Sequence, residues 1–188
     1  MPPEDVSHVV LSHLHYDHTG GLAAFSRAQF LVTKQERQAA RAPLHRLSGY
    51  LDKELGGIRI TELEHPSCAG LALEDVARHD YGVDLMNDGS LILVPMYGHS
   101  PGHQALLAFL PGGPVLLAGD TVYVREGYSK PAAQPRPWNA ELGWRSLLGL
   151  RALAKGDSSA LILPSHDDAP LRLLARPDIV VGDLGIGG

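Results

Sequence analysis

Residues 12–18 read SHLHYDH and come directly after the apolar run HVVL. Three of the chain's 10 histidines and one aspartate therefore fall within seven residues. A surface loop has no structural need for so many imidazoles, whereas a metal site does. Imidazole and carboxylate ligands without thiolate suit Zn²⁺, Mn²⁺, Fe²⁺ or Co²⁺. The segment constrains the fold strongly, because the rest of the chain must bring further ligands to the same loop.

Six short apolar runs predict the strands of a sheet. Each is rich in Leu or in β-branched residues, which is typical of buried strands. The four strongest runs are HVVLS (8–12), LILVPM (91–96), PVLLAG (114–119) and ALILPS (160–165). Two weaker candidates are FLVT (30–33) and QALLAFL (104–110). Helix-like stretches lie between these runs, so we expect an α/β (α+β) fold.

The segments between the strands give fewer signals. TKQERQAARAPLHRL (33–47) and ELGWRSLLGLRALAKG (141–156) predict helices. The tripeptide NDG at 87–89 predicts a hairpin turn before SLILV. Residues 48–90 are the least regular part of the chain, and we expect them to cap a site. The Pro-rich stretch 128–138 predicts an ordered surface loop.

Polar side chains follow each of the four strongest strands. The first strand leads into the SHLHYDH loop, and the others lead to His99, Asp120 and His166. Strand ends at one edge of a sheet converge, and open α/β sheets bind ligands at that edge. Packing alone does not explain a polar group at four such ends. We therefore expect the four groups to meet at one edge of the sheet.

The number of candidate ligands indicates two metal ions. His13 and His15 are two residues apart and can aim at one ion. Asp17 and His18 are adjacent, point in different directions and suit a second ion, and the carboxylate of Asp120 can bridge both. Seven ligands exceed what one tetrahedral ion uses, so we expect two divalent ions with an open position for water. The candidate ligands are His13, His15, Asp17, His18, His99, Asp120 and His166.

These motifs resemble those of the metallo-β-lactamase superfamily. The HxHxDH signature stands at 13–18, GHSPGH at 98–103 and LAGDT at 117–121, in the order of the family. The segment that contains the last two motifs is most similar to the N-acyl-homoserine lactonase branch. The resemblance covers about residues 5–168 and implies an αββα sandwich. We expect a single domain over 1–188, which is the default for this length.

The resemblance also implies how the ligands divide between two ions. One ion would be held by His13, His15 and His99, with Asp120 shared. The other would be held by Asp17, His18 and His166. Zinc is the first expectation for both ions, with manganese, iron and cobalt as alternatives. Tyr123 would face the metal centre and polarise the substrate carbonyl or assist the leaving oxygen. His103 is expected to form a supporting hydrogen bond.

The predicted activity is hydrolysis of a lactone, with an N-acyl-homoserine lactone as first expectation (quorum quenching). A water acidified by the metal pair would attack the carbonyl, and Asp17 would orient it or carry its proton. A glyoxalase II-like thioesterase or another ester hydrolase is the alternative. Such thioesterases typically carry phenylalanine near the position of Tyr123 and more than the 22 residues that follow His166 here. The non-enzymatic alternative is an inactive metal-binding fragment.

The N-terminal region departs from the family pattern. Family members have several strands before the HxHxDH motif, whereas only seven residues precede His8 here. We therefore expect the sandwich to lack those strands and one sheet to expose an edge.

Charge and cysteine content limit which partners and which cellular compartment we expect for this protein. The formal net charge is −5 without a block of like charges, so neither nucleic acid nor a membrane surface is expected as a partner. Cys68 is the single cysteine and cannot form an internal disulfide. No signal peptide is visible, and the apolar runs are too short to span a membrane. We expect a cytoplasmic protein that binds a small lactone or ester, with a homodimer left open.

Overall fold

The structure is a computed structural model that describes residues 2–65, 82–130, 132, 135–156 and 160–168. Within these ranges the chain forms two sheets. The three-stranded sheet contains β1 (His8–Val10), β2 (Gln29–Thr33) and β3 (Arg59–Leu63). The five-stranded sheet contains β4 (Val83–Asp84), β5 (Leu91–Pro95), β6 (Gln104–Leu110), β7 (Gly113–Gly119) and β8 (Leu161–Pro164).

Five α-helices connect these strands in the described ranges. They are α1 (Tyr16–Thr19), α2 (Lys34–Ala39), α3 (Asp52–Leu55), α4 (Arg125–Ser129) and α5 (Ala140–Gly156). Single 3₁₀ turns are formed by Pro3–Asp5, Leu22–Ala24 and His45–Ser48. None of the helices in the described part of the chain combines the length and the apolarity that crossing a membrane requires.

Strand direction decides which loops share an edge. In the three-stranded sheet both pairs of neighbours are parallel. In the five-stranded sheet β5 pairs antiparallel with β6, β6 antiparallel with β7, and β7 parallel with β8. Strands β5, β7 and β8 therefore run in one direction, and their carboxyl ends lie at one edge. The loops that contain His99, Asp120 and His166 start from that edge.

Each sheet has its own apolar core. Helix α5 buries Leu147 and Leu150 against one face of the five-stranded sheet. The sheet side of this cluster is formed by Ile92, Leu107, Leu116 and Ile162. On the three-stranded sheet, Phe30 and Val32 lie on the same face of β2 and pack with Leu14 in a second apolar cluster. Leu14 is fully buried there, so the start of the SHLHYDH loop is anchored in the core of the three-stranded sheet.

Gln104 joins the two sheets near this loop. Its backbone N–H donates a hydrogen bond to Ser12 O at 3.0 Å, and its Nε2 donates to Leu11 O at 2.9 Å. Its Oε1 lies 2.9 Å from Nε2 of His65, a residue that follows shortly after the end of β3. Because Gln104 is completely buried, these bonds satisfy groups that water does not reach. They bring the end of β1 beside the five-stranded sheet.

The six predicted strands are confirmed, with ends that shift by at most two residues. The helix predicted at 141–156 is confirmed as α5, and the turn predicted at 87–89 joins β4 to β5. Asn87 and Gly89 adopt φ values of 55° and 77° in that turn. The mixed α/β class and the two sheets match the expected sandwich.

The helix predicted at 33–47 is wrong beyond Ala39, where α2 ends. The backbone before a proline disfavours the helical region, and Pro43 follows closely. Leu44 then adopts a left-handed φ of 62°. The predicted helix therefore ends before Pro43, and helical backbone resumes only in the 3₁₀ turn His45–Ser48.

The irregular region predicted at 48–90 contains more structure than its sequence indicates. It holds α3, β3 and β4, while residues 66–81, with Cys68, lie outside the described residues. The surface loop predicted at 128–138 begins inside α4, which ends at Ser129. The expectation of one domain stays a prediction.

Candidate metal centre

The SHLHYDH loop is fixed at both ends. Burial of Leu14 in the core of the three-stranded sheet directs the neighbouring His13 and His15 to the opposite side of the extended chain. His15 is still extended, with φ −68° and ψ 153°, directly before α1. The N–H of Tyr16, the first residue of α1, donates a hydrogen bond to Gly49 O at 2.9 Å. The loop therefore presents its histidines from a defined backbone.

The predicted meeting point is wrong in one respect, because the loops do not all leave one sheet. The SHLHYDH loop follows β1 of the three-stranded sheet, whereas His99, Asp120 and His166 follow strands of the other sheet. The bonds of Gln104 bring the two sheets together at this point. The candidate ligands thus meet where the two sheets adjoin.

His13, His15 and His99 form a first group. One ring nitrogen of each lies within 4.8 Å of the others. His99 Nε2 is 2.9 Å from His15 Nδ1 and 3.2 Å from His13 Nε2. Burial lowers the pKa of His99 to about 4, and burial with nearby imidazoles holds the pKa of His13 well below its ordinary value. These imidazoles are neutral near neutral pH, which is the form that binds a metal.

Asp17, His18, Asp120 and His166 form a second group, again with ligand atoms within 4.8 Å of one another. Asp17 Oδ2 lies 3.8 Å from both His18 Nε2 and His166 Nε2. Although burial opposes it, Asp120 and Asp17 raise the pKa of His18 above its ordinary value. Asp17 and His166 are exposed, so the second group lies on the solvent side of the first.

Asp120 lies between the two groups and is almost completely buried. Its Oδ2 is 3.4 Å from His99 Nε2 and 4.0 Å from His13 Nε2. Its Oδ1 is 3.1 Å from His18 Nε2 and 3.4 Å from His166 Nε2. Burial raises the pKa of this carboxyl, but hydrogen bonds and nearby imidazoles bring it below its usual range. One ionised carboxylate therefore presents one oxygen to each group.

The donor set fits a pair of borderline divalent cations. The two groups contain five imidazoles and two carboxylates, and thiolate is not among them. In the first group three ring nitrogens face one another, and neutral imidazoles cannot all satisfy each other's lone pairs. In the second, His18 Nε2 and His166 Nε2 both face the same Asp120 oxygen, at 3.1 Å and 3.4 Å. The assignment of these residues as metal ligands stays a prediction.

Tyr123 lies in the wall of an open cleft beside the two groups. Its hydroxyl is 3.4 Å from His99 Nδ1, and its ring centre is 5.1 Å from that of His166. Burial, with the charges of Asp120 and Asp17, raises the pKa of the phenol, so it stays protonated and can donate a hydrogen bond. The cleft has a volume of about 980 Å³, enough for a small molecule. Its rim includes Tyr16, Leu47, Pro137 and Trp138.

His103 lies outside both groups and supports Asp120. It is completely buried, and its Nδ1 lies 3.1 Å from Met96 O. Its Nε2 accepts a hydrogen bond from the Asp120 N–H at 2.9 Å. These two bonds require a ring that is neutral and protonated at Nδ1. The supporting hydrogen bond expected from the sequence is therefore present.

Two residues behind His15 were not predicted. The ring of Tyr50 is buried, with its centre 4.9 Å from that of His15. Gly49 adopts φ 90°, and a Cβ on it would lie 3.4 Å from His15 Cδ2. Both belong to the region that we expected to cap a site, but no motif in the sequence marked them individually.

Glu36 was also missed, although it is completely buried beside both ligand loops. The sequence signal was Thr33-x-x-Glu36, the pattern of a capping box in which the glutamate bonds back to its own helix. Thr33 does cap α2 through the N–H of Glu36. The Glu36 side chain instead accepts hydrogen bonds from Leu14 N–H and Gly102 N–H, both at 3.0 Å.

The sequence is similar to those of known proteins. The sequence profile of the Metallo-beta-lactamase superfamily matches residues 1–166. The N-acyl homoserine lactonase AttM of Azorhizobium caulinodans is 35% identical over 171 residues, which cover 89% of this chain and 60% of that protein. AttM of Agrobacterium fabrum is 32% identical over 178 residues, which cover 94% of this chain and 64% of that protein.

The fold is also similar to solved structures. A quorum-quenching N-acyl homoserine lactone hydrolase superposes with a TM-score of 0.71 at 25% identity, over 94% of this chain and 63% of the other. An N-acyl homoserine lactone hydrolase with N-hexanoyl-L-homoserine at its catalytic metal centre gives 0.68 at 25% identity, over 93% and 60%. The chain thus spans about 60% of the length of the proteins it matches.

Proposed function

The chain belongs to the metallo-beta-lactamase superfamily, and on this premise we propose that it is a metal-dependent hydrolase that opens a lactone ring. The proposed substrate is an N-acyl-homoserine lactone. Similar proteins carry the name N-acyl homoserine lactonase, and one solved neighbour holds the product N-hexanoyl-L-homoserine at its metal centre. The product here would be the ring-opened hydroxy acid.

The observation that carries the proposal is the position of Asp120. Its two oxygens face the two groups at 3.4 Å and 3.1 Å from the nearest imidazole nitrogens, as a carboxylate shared by two cations would. We propose that both cations are zinc. The first would bind His13, His15 and His99, and the second would bind Asp17, His18 and His166, with Asp120 linking them.

The chemistry divides between the cations and the protein. When bound, a pair of divalent cations supplies an acidified water and polarises the substrate carbonyl. Tyr123 donates a hydrogen bond from its protonated phenol to the carbonyl oxygen or to the leaving ring oxygen. Asp17 accepts a proton from the attacking water and passes it to the ring oxygen as the acyl C–O bond breaks. Asp120 stays ionised between the two groups.

The test measures bound metal and ring opening on the same preparation. Zinc-loaded protein is analysed for metal content and then assayed by acid release from N-hexanoyl-homoserine lactone. A simple butyrolactone and a glutathione thioester are assayed in parallel. The proposal predicts two ions per chain and fastest turnover of the homoserine lactone. Asp120→Asn should lose metal and turnover, whereas Asp5→Asn, at an exposed position, should keep both.

The same panel separates the alternatives. Turnover of the thioester alone would assign the protein to the thioesterases. Two bound ions without turnover of any substrate would support the inactive metal-binding fragment. A preparation that folds but binds no zinc would contradict the proposal at its first step.

A further inference from the structure

Glu36 lies in the first turn of α2, and its carboxylate is completely buried. Oε1 accepts hydrogen bonds from Leu14 N–H and Tyr50 O–H, both at 3.0 Å. Oε2 accepts from Ser100 O–H at 2.6 Å and from Gly102 N–H at 3.0 Å. A carboxylate has about four acceptor sites, so all of them are used. Each oxygen holds one backbone N–H and one hydroxyl.

These donors belong to the segments that carry the first group of histidines. Leu14 stands between His13 and His15, and Ser100 directly follows His99. The four hydrogen bonds described for Glu36 do not involve these imidazoles, but two of them go to the backbone of Leu14 and the side chain of Ser100, which are immediate neighbours of the histidines. The residues that follow β7 and β8, with Asp120 and His166, contribute none of its four donors.

The loop that carries His99 fits closely against the start of α2. A Cβ on Gly102 would lie 2.1 Å from Thr33 Oγ1 and 2.3 Å from Glu36 N, which no side chain can occupy without displacement. Thr33 Oγ1 donates a hydrogen bond to Gly102 O at 2.6 Å and accepts one from Glu36 N–H at 3.2 Å. The start of α2 is therefore a fixed support for this loop.

We infer that Glu36 is a positioning residue that sets the distance between the His13–His15 segment and His99, and thereby the geometry of the first cation position. The inference rests on the proposed function, because it takes these histidines to bind a cation. Glu36 acts through backbone N–H groups rather than by touching the cation. It serves the first group, whereas Asp17, His18 and His166 of the second group are held by other contacts.

A carboxylate is required because an amide cannot replace it in either orientation. Glutamine has one carbonyl oxygen and one NH₂ group. Each Glu36 oxygen faces one backbone N–H, from Leu14 or from Gly102, so the NH₂ group of Glu36→Gln must oppose one of them. A hydroxyl can rotate to become an acceptor, but a backbone N–H cannot. One of the two ligand segments must therefore shift.

The test is titration of the metal-free protein with Co²⁺, followed by the visible absorption of the bound ion. Wild type should bind two Co²⁺ ions. In Glu36→Gln, one ion should bind about 10–100-fold more weakly, the usual cost of losing a residue that orients ligands, and the other should bind as before. The matched control is Glu62→Gln, which removes a charge from an exposed position of β3 and should leave both ions unchanged.

Site selectivity distinguishes positioning from a general loss of stability. Thermal unfolding of each metal-free variant shows whether it folds, and an equal weakening of both ions in Glu36→Gln would overturn the inference. If that variant does not fold, Ser100→Ala removes one donor beside His99 and should weaken the same ion selectively. If the wild type binds two ions and the variants bind both ions with the same affinities as the wild type, the inference is refuted but the proposed function is not. Wild type that binds no Co²⁺ refutes the proposed function and the inference together.

Discussion

Buried His103 should make the metal-free protein sensitive to acid. Its Nε2 accepts the Asp120 N–H, and burial lowers its pKa to about 3 from an ordinary 6.5. The unfolded chain therefore binds more protons than the folded chain between these two values. The stabilising contribution of neutral His103 is complete above about pH 6.5 and is lost progressively as the pH falls below that value.

The size of the effect follows from the two protonation states. At about pH 5 an imidazole in the unfolded chain is almost fully protonated, whereas folded His103 is still neutral. Relative to about pH 7.5, this difference costs the folded state about 2 kcal/mol. The result barely depends on the folded pKa, because any value well below 5 leaves the ring neutral. A loss of about 2 kcal/mol is large beside a typical total of about 5–15 kcal/mol.

Urea unfolding of the metal-free protein at these two pH values measures the effect, with His103→Gln as the perturbation. Glutamine keeps an acceptor within reach of the Asp120 N–H and does not titrate. Between about pH 7.5 and about pH 5, wild type should lose about 2 kcal/mol more free energy of unfolding than the variant. His8→Gln, at an exposed position of β1, should behave like wild type. Equal pH dependence of wild type and His103→Gln would refute the burial argument.

Three further substitutions, one of them with a matched control, test the packing and the cleft. Gly98→Ala places a Cβ 2.1 Å from Gly143 N at φ 130°, so urea unfolding should show a loss of at least about 1–3 kcal/mol. Leu150→Ala, in the core beneath α5, should lower the free energy of unfolding by about 2–5 kcal/mol. The control Trp144→Ala, on the exposed side of α5, should lower it far less. Equal losses in the two variants would contradict the assigned core. Tyr123→Phe should lower kcat for lactone opening about 10- to 150-fold, as expected for losing a hydrogen bond to a charged transition state, and undiminished kcat would exclude the proposed role of the phenol.

The strands and the ligand-bearing loops could be predicted because their signals are local. Apolar runs such as LILVPM and ALILPS identify buried strands by composition, and each polar group stands directly after its run. Strand β3 does not meet this criterion because only two of its five residues, Ile60 and Leu63, are apolar, and none of the five is fully buried. Its pairing with β2 comes from tertiary structure rather than from its own sequence.

Partners that are distant in sequence explain what could not be predicted. Apolar runs do not reveal which strands pair, so the assignment of β1 to a separate sheet was not visible. The four donors around Glu36 come from three separate segments, and only its capping pattern with Thr33 is local. The same holds for Gln104, whose bonds to Leu11 and His65 join the sheets.

Anomalous diffraction from crystals of the zinc-loaded protein would show whether Asp120 links two cations, because it locates each cation relative to this carboxylate. We expect two zinc peaks about 3.5–4 Å apart, one beside His13, His15 and His99 and the other beside Asp17, His18 and His166, with one Asp120 oxygen toward each. A single peak, or peaks that the Asp120 carboxylate does not link, would contradict this expectation.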